Sequence, residues 1–488
     1  MSIIKKLTNK YRAIPIAARA TLWFVFCSTL QKGISIITTP IFTRLMSTEQ
    51  YGQFTVYSSW LQIITIITTL RLDYAVFNKG MSKFKDDRDT YTSTMQSLTF
   101  VITLVVFGIY SIFHTAFESL LELPSFIIVV MFCELLVYPA VNFWTIRKRY
   151  EYIYRPIVIR TVLMVLINAV VGVIAVLLAE EKGYARILSS ITVNFTFGLI
   201  LFIYNARKGK QLFKWEYAKF AILFNLPLLL HYCSQYVLDQ FDKIMIQKMV
   251  SMSAAGLYGA AYSAGLMMKI ITQSINNSLI PWQYDKLEKK DFKTMNKVIV
   301  SIYALIGVCS VLFSAFAPEL IRLLAGKKYM EAIYVVPPVA VSMYFSFMYT
   351  IFANVELFYN KNKFTMYISL GGALLNIGLN YIFINLFNYI AAGYTTLACY
   401  IIFSFSHYIY MVSSVKKELG VDHIFNTKLL IIISAVVLLC GILVVILYPY
   451  IILRYCFILL VGIISFIFRK RIINTLKSIK KPAKLTSQ

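Results

Sequence analysis

The stretch "RLMSTEQYGQF", Arg44 to Phe54, is a short polar hinge between two apolar runs, each long enough to cross a membrane. A degenerate version returns as "SMSAAGLY" at Ser251 to Tyr258. An offset of 204 residues lays Ser47 on Ser251, Gly52 on Gly256, Phe54 on Tyr258 and, upstream, Gln31 on Gln235. The first hinge joins apolar spans one and two, and the second joins spans seven and eight. The first twelve spans therefore divide into two sets of six. An even number of spans per repeat gives both halves the same orientation, which predicts a pseudo-two-fold axis along the membrane normal and a cavity between two lobes, the architecture of transporters. We expect a six-helix lobe over residues 1–210, a second over 211–420, and two additional helices with a basic tail over 421–488.

Composition agrees with this reading. Of 488 residues 59% are hydrophobic and 14% charged, with a mean hydropathy of +0.70, whereas charged residues make up about a quarter of soluble domains. Apolar runs of about 20 residues recur from Thr21 to Phe468. We place fourteen spans at 20–43, 51–77, 92–114, 124–146, 156–178, 184–205, 220–247, 255–283, 298–317, 332–355, 364–387, 390–413, 429–447 and 450–468. They lack the ten-residue alternation of a barrel, so their backbone hydrogen bonds must close within helices. The predicted class is an all-α polytopic membrane protein.

The basic N-terminus precedes a long apolar run without a small-residue cleavage site, so the first helix is read as retained. With that end cytoplasmic, segments on the same side carry 35 of the 48 basic residues, as the positive-inside rule requires, and both termini are cytoplasmic. The net charge of +26 then reports topology and contact with anionic lipid rather than nucleic acid. All seven cysteines fall in predicted spans without C-x-x-C spacing; they read as small buried hydrophobes, not as a metal site or disulfides. Gly326-Lys327 lacks the surrounding residues of a phosphate-binding loop, so ATP hydrolysis is not expected.

Ionisable side chains inside spans cost about 2.5–3.5 kcal/mol each on insertion scales, so each should face a cavity or a partner. At a rise of about 1.5 Å per residue, Lys32, Glu134, His231 and Lys269 fall near mid-span. Arg71, Asp73, Arg160 and His407 fall nearer the cytoplasmic ends, where long side chains snorkel and an arginine anchors to lipid phosphate. Asp239, Asp242 and Lys243 lie toward the outer end of span seven, where a local ion pair accounts for them as well as function does.

Helical spacing aligns several of these groups with neutral polar residues. Span one carries Ser28, Gln31, Lys32, Ser35 and Thr39 on one stripe; span two carries Ser58, Gln62, Thr65, Thr69 and Asp73. Span seven carries His231, Gln235, Asp239 and Asp242, and span eight Lys269, Gln273 and Asn276. Any one stripe reads as interhelix hydrogen bonding. Four stripes on helices that the repeat pairs favour a hydrated central cavity. Later, Leu370 to Tyr400 sets small residues with Asn376 and Asn380 on one face, a pattern of close helix packing, loosely echoed by Asn168 and "EKGYARI" at Glu181 to Ile187.

The hinge, "LDQFDKIMIQKMVSMSAAGLYGAAY" (Leu238 to Tyr262), "LAGKKYMEAIYVVPP" (Leu324 to Pro338) and the Asn-x-x-x-Asn stretch at Asn376 resemble the polysaccharide transporters. These are the O-antigen and lipid-linked oligosaccharide flippases of the superfamily that also holds multidrug extruders and the lipid II flippase. The likeness covers nearly the whole chain in span number and order; Asn388 departs from it, standing where a glycine is expected before Gly393. The resemblance implies alternating access and movement of an undecaprenyl-pyrophosphate-linked glycan between leaflets of a bacterial inner membrane. A polysaccharide polymerase and a chain-length regulator are the implied partners, and no cofactor is implied.

The residue assignments follow from chemistry at depth. Lys32 and Lys269, with Arg71 and Arg160, offer charge-assisted hydrogen bonds to pyrophosphate. Gln31, Gln235, Gln273 and Asn276 suit glycan hydroxyls. Glu134, Asp239 or Asp242 suit uptake of a proton or sodium ion in coupling. A multidrug extruder would want an anionic cavity for organic cations, and the two mid-span lysines argue against it. A membrane polysaccharide polymerase or ligase, an enzyme, would need a sizeable outer loop, and the longest runs only from about Pro318 to Glu331. "DDRD", Asp86 to Asp89, reads as a solvated charge run in a basic cytoplasmic loop.

Overall fold

The computed structural model describes residues 16–359 and 361–479; within these, the side chains of a few residues, Lys32 and Ser35 among them, lie outside the description. All regular structure among the described residues is helical. The chain forms two compact units, Met1–Gln240 and Phe241–Gln488, and the division falls inside the helix Trp215–Met249.

The first unit begins with α1 (Ile16–Leu45) and α2 (Thr48–Thr69), followed by α3 (Ala75–Lys83) and α4 (Arg88–Ile112). After the short α5 (His114–Leu121) come α6 (Ser125–Val137), α7 (Pro139–Tyr150), α8 (Arg155–Leu178) and α9 (Lys182–Lys208). The opening hinge is a capped helix start. Ser47 Oγ accepts from the Gln50 backbone N–H at 3.1 Å and Gln50 Oε1 accepts from the Ser47 N–H at 3.0 Å, so two otherwise orphan donors are satisfied reciprocally. Gly52 lies inside α2 without a positive φ, so the cap rather than the glycine sets the turn.

Span two is not continuous as expected. α2 stops at Thr69 because Leu70 and Arg71 take left-handed φ values of 46° and 53°. The freed Leu70 carbonyl accepts a hydrogen bond from the Asn225 amide. Farther along, α9 crosses the α6–α7 junction at Gly198: a Cβ there would lie 2.9 Å from the backbone N and Cα of Tyr138, so only glycine permits the approach.

α10 (Trp215–Met249) leads into the second unit and bends by 57° between Leu226 and Leu228. It is followed by α11 (Met252–Gly265), α12 (Met267–Glu288), α13 (Phe292–Ala315), α14 (Ala317–Leu324), a 3₁₀ segment Lys327–Val335 and α15 (Val336–Phe358). Next come α16 (Asn362–Phe387), α17 (Ala391–Leu419), α18 (Thr427–Ile446) and α19 (Ile451–Ile479). The second hinge repeats the first: Ser251 Oγ accepts from the Ala254 N–H at 3.1 Å and caps α11. α15 is the buried centre of this unit and packs against α12, α13 and α17.

Each expected span overlies one helix or two consecutive helices. By length and apolarity, nine described helices can cross a membrane, or ten counting the bent α10. α2 and α12 fall short because their polar stripes dilute the apolar character that length alone would supply.

Candidate functional site

The ionisable groups in each unit gather into a few buried nodes. In the first unit, Glu134 on α6 is 2% exposed. Tyr57 on α2 donates to its Oε2 at 3.3 Å, and Asn194 on α9 donates to Oε1 at 2.8 Å. A carboxylate this deep needs such donors, and neutral ones hold it without fixing a counter-charge beside it.

A second node sits at the break after α2. Asp73 accepts from Asn142 Nδ2 at 3.0 Å and lies 3.8 Å from Arg71. The Arg71 guanidinium lies over the rings of Tyr74, Tyr232 and Tyr236 at 5.1, 5.9 and 5.6 Å, a cation held by π faces as much as by charge. The α2 stripe above it bonds largely to its own helix: Ser58 donates to Phe54 O at 2.7 Å and Thr65 to Leu61 O at 2.6 Å. Gln62 also accepts from Gln240 Nε2 at 3.1 Å, which ties α2 to α10. Arg160 on α8 is buried, with Thr145 Oγ1 at 2.5 Å as an acceptor.

In the second unit Asp242 is 1% exposed. Its Oδ2 accepts from Tyr258 on α11 and Thr396 on α17, both at 2.8 Å, and its Oδ1 accepts from Asn380 on α16 at 2.6 Å. Asn380 also donates to Asn376 at 3.2 Å and accepts from Thr395. Lys243, the next residue along α10, lies over the Tyr262 ring at 4.8 Å. Four helices thus converge on one carboxylate. Hydroxyl and amide donors meet both of its oxygens, and no cluster of three His, Cys, Asp or Glu suited to a metal occurs among the described residues.

The other expected residues are placed as follows. Asn276 on α12 accepts from Asn354 at 3.0 Å, and Asn354 donates also to Gln283 at 3.3 Å; Gln283 in turn donates to the Ile351 carbonyl at 2.9 Å. Gln235, Asp239 and Lys269 are half-buried, and Gln31 and Gln273 are exposed. The Lys32 side chain lies outside the described residues.

Sequence reading missed three buried charges: Glu356, Arg186 and Arg454, the last 3% exposed and paired with Glu319. Glu356 on α15 is fully buried with both carboxylate oxygens 3.0 Å from His407 Nδ1, and Tyr349 stacks on that imidazole at 5.4 Å. Arg186 on α9 is buried between the rings of Phe42 at 4.3 Å and Phe54 at 4.7 Å and donates to Asn168 at 3.0 Å. The signal for Arg186 was its place within predicted span six.

The family described as "Polysaccharide biosynthesis protein" matches residues 17–286, more than half of the chain. The chain belongs to this polysaccharide biosynthesis family. The MatE family also matches, over residues 227–382. Lsg locus putative protein 1 of Haemophilus influenzae is 24% identical over 345 residues, covering 68% of this chain and 82% of that protein. In fold, the chain is similar to the lipid II flippase MurJ in its inward closed conformation, with a TM-score of 0.63 at 15% identity over 92% of this chain and 100% of that one. It is also similar to an inward-facing multidrug resistance MATE family transporter of the MOP superfamily, with a TM-score of 0.57 at 11% identity over 80% and 96% of the two chains.

Within this polysaccharide biosynthesis protein the Arg186 and Asp242 nodes draw on similar residue types, an asparagine amide and an aromatic side chain. "GYAR" (Gly183 to Arg186) and "GYTT" (Gly393 to Thr396) open α9 and α17, and the 204-residue offset pairs Phe54 with Tyr258 in the sequence. Asn168 and Asn380 contribute the amide in each case. Similar neutral partners thus surround a cation, Arg186, in the first unit and an anion, Asp242, in the second.

Proposed function

We propose that this chain is a flippase that moves an undecaprenyl-pyrophosphate-linked oligosaccharide, such as an O-antigen or capsule repeat unit, from the cytoplasmic to the outer leaflet of a bacterial inner membrane. It does so by alternating access of two six-helix lobes, 1–210 and 211–420, through fourteen spans with both termini cytoplasmic. The observation that carries this reading is the polysaccharide biosynthesis family match on a chain whose fold is similar to that of a lipid II flippase. Lys32, Lys269, Arg71 and Arg160 neutralise the pyrophosphate as it leaves water. Gln31, Gln235, Gln273 and Asn276 serve glycan hydroxyls.

Movement is coupled to an ion gradient. Asp242 is the first choice for the coupling group, with Glu134 and Asp239 as further carboxylates; its three donors are supplied by α11, α16 and α17, so a change in its occupancy is felt by all of them. A polymerase and a chain-length regulator act downstream on the delivered unit. The MatE match supports a second reading, extrusion of an organic cation, against which the mid-span lysines stand.

Deleting the gene and analysing lipids separates these readings. The flippase reading expects undecaprenyl-linked oligosaccharide to accumulate facing the cytoplasm, with surface glycan lost. Loss of surface glycan without that accumulation would overturn it in favour of a polymerase, and drug sensitivity alone would favour the extruder.

A further inference from the structure

The junction of α7 and α8 carries a run of basic residues, "RKRYE" at Arg147 to Glu151, with Arg155 and Arg160 following. Most of the run is neutralised locally. Arg147 pairs with Asp89 and lies 3.3 Å from Glu151, and Lys148 also lies 3.3 Å from Glu151. Arg155 is exposed to solvent. Arg149 and Arg160 differ: no carboxylate among the described residues forms an ion pair with either.

Arg160 is 9% exposed. Its Nη2 donates to Thr145 Oγ1 at 2.5 Å and its Nη1 to the Met164 sulfur at 3.8 Å, both neutral acceptors. Its Nε is buried with no acceptor, and so is the Nε of Arg149. Arg149 lies over the Phe24 ring at 5.6 Å. Phe24, the ring under Arg149, packs into one core cluster with Cys27, Trp144 and Ile157, so the Arg149 and Arg160 side chains border the same core.

A buried guanidinium and a half-buried one bordering the same core, each with a buried Nε–H that meets no acceptor, are costly unless an anion completes them. The C-terminal dipole of α7 offsets part of the charge on Arg149, which stands in its last turn. It does nothing for Arg160, more than a turn into α8. The rigid fork of a guanidinium matches two oxygens of a phosphoryl group, and paired forks match a diphosphate or a phosphodiester better than they match a single-oxygen ligand.

We infer that Arg149 and Arg160 form a phosphoryl-binding site, contained wholly within the first unit, that receives an anionic lipid headgroup. On the proposed orientation it faces the cytoplasmic leaflet. Two sources share this chemistry: the pyrophosphate of the lipid-linked substrate, in which case the site is its entry station, and the phosphodiester of a bulk anionic lipid. Only the first source rests on the flippase reading.

The test uses full-length protein in neutral phosphatidylcholine nanodiscs, titrated separately with undecaprenyl pyrophosphate and with phosphatidylglycerol. Wild type is compared with R149Q/R160Q, with R149K/R160K and with the control R155Q. We expect at least a fivefold weakening for one probe in R149Q/R160Q, a smaller weakening in R149K/R160K, which keeps charge and fold but loses the forks, and none in R155Q. Selective loss for undecaprenyl pyrophosphate assigns the site to substrate; selective loss for phosphatidylglycerol assigns it to bulk lipid. Unchanged affinity for both probes in either folded double variant overturns the site. This binding readout is independent of the lipid-accumulation experiment, so the site can stand where the flippase reading falls.

Discussion

Asp242 offers the sharpest separation of structural from functional roles. Asp242→Ala strands the Tyr258 hydroxyl, the Thr396 hydroxyl and the Asn380 amide, each now within 2.8 Å of the carboxylate. A stranded buried donor costs about 1–3 kcal/mol. Asn380 retains Asn376 at 3.2 Å as a second acceptor, so the main losses are the two hydroxyl bonds, and we expect a destabilisation of about 2–5 kcal/mol. Asp242→Asn keeps the volume and one carbonyl oxygen. Its new amide N–H group meets two hydroxyls, which can turn to accept, so we expect a loss of only about 1–2 kcal/mol. Denaturation of the detergent-solubilised proteins measures both. Delivery of repeat units to the outer leaflet then tests coupling: Asp242→Asn should be folded at normal levels yet transport-deficient. Equal destabilisation by the two substitutions would refute the claim that the carboxylate organises the node, and full transport by folded Asp242→Asn would refute its coupling role.

Two further substitutions test how the helices are placed. Gly198→Ala puts a methyl group 2.9 Å from the Tyr138 backbone, which cannot swing aside; we expect a destabilisation of about 1–3 kcal/mol, and an unchanged unfolding midpoint would show that α9 does not approach the α6–α7 junction so closely. Ser47→Ala and Ser251→Ala each remove a helix cap and should each cost about 0.5–2 kcal/mol. Because the caps lie in different compact units, the double variant should show the sum of the two losses, and a shortfall would indicate coupling.

The helical class was readable because a membrane leaves few ways to satisfy backbone polarity, and the hinge was readable because a polar stretch interrupts two apolar runs, whereas its serine cap came only with the structure. The nodes were half readable. Glu134 and Asp242 announced themselves as carboxylates in apolar runs, but Tyr57, Asn194, Asn380 and Thr396 lie 60 or more residues from the groups they serve, and nothing in a linear pattern pairs them. The break at Leu70 was hidden for a related reason: an apolar run continues through it, and the amide that caps it comes from Asn225. Glu356 stood at the soft edge of a predicted span, where hydropathy makes no distinction between a solvated charge and a buried one.

The Arg186 and Asp242 nodes show how closely chemistry follows charge once helix positions are fixed. A buried guanidinium wants acceptors and π faces; Arg186 has the Asn168 carbonyl oxygen and the rings of Phe42 and Phe54. A buried carboxylate wants donors; Asp242 has the Asn380 amide, the Thr396 hydroxyl and the Tyr258 hydroxyl. Phe54 and Tyr258, which the 204-residue offset pairs, differ by a single oxygen, absent where a cation meets the ring and present where an anion accepts from the O–H. The guanidinium is a permanent cation tethered to its own helix and cannot be exchanged with solution. The carboxylate can exchange what it binds.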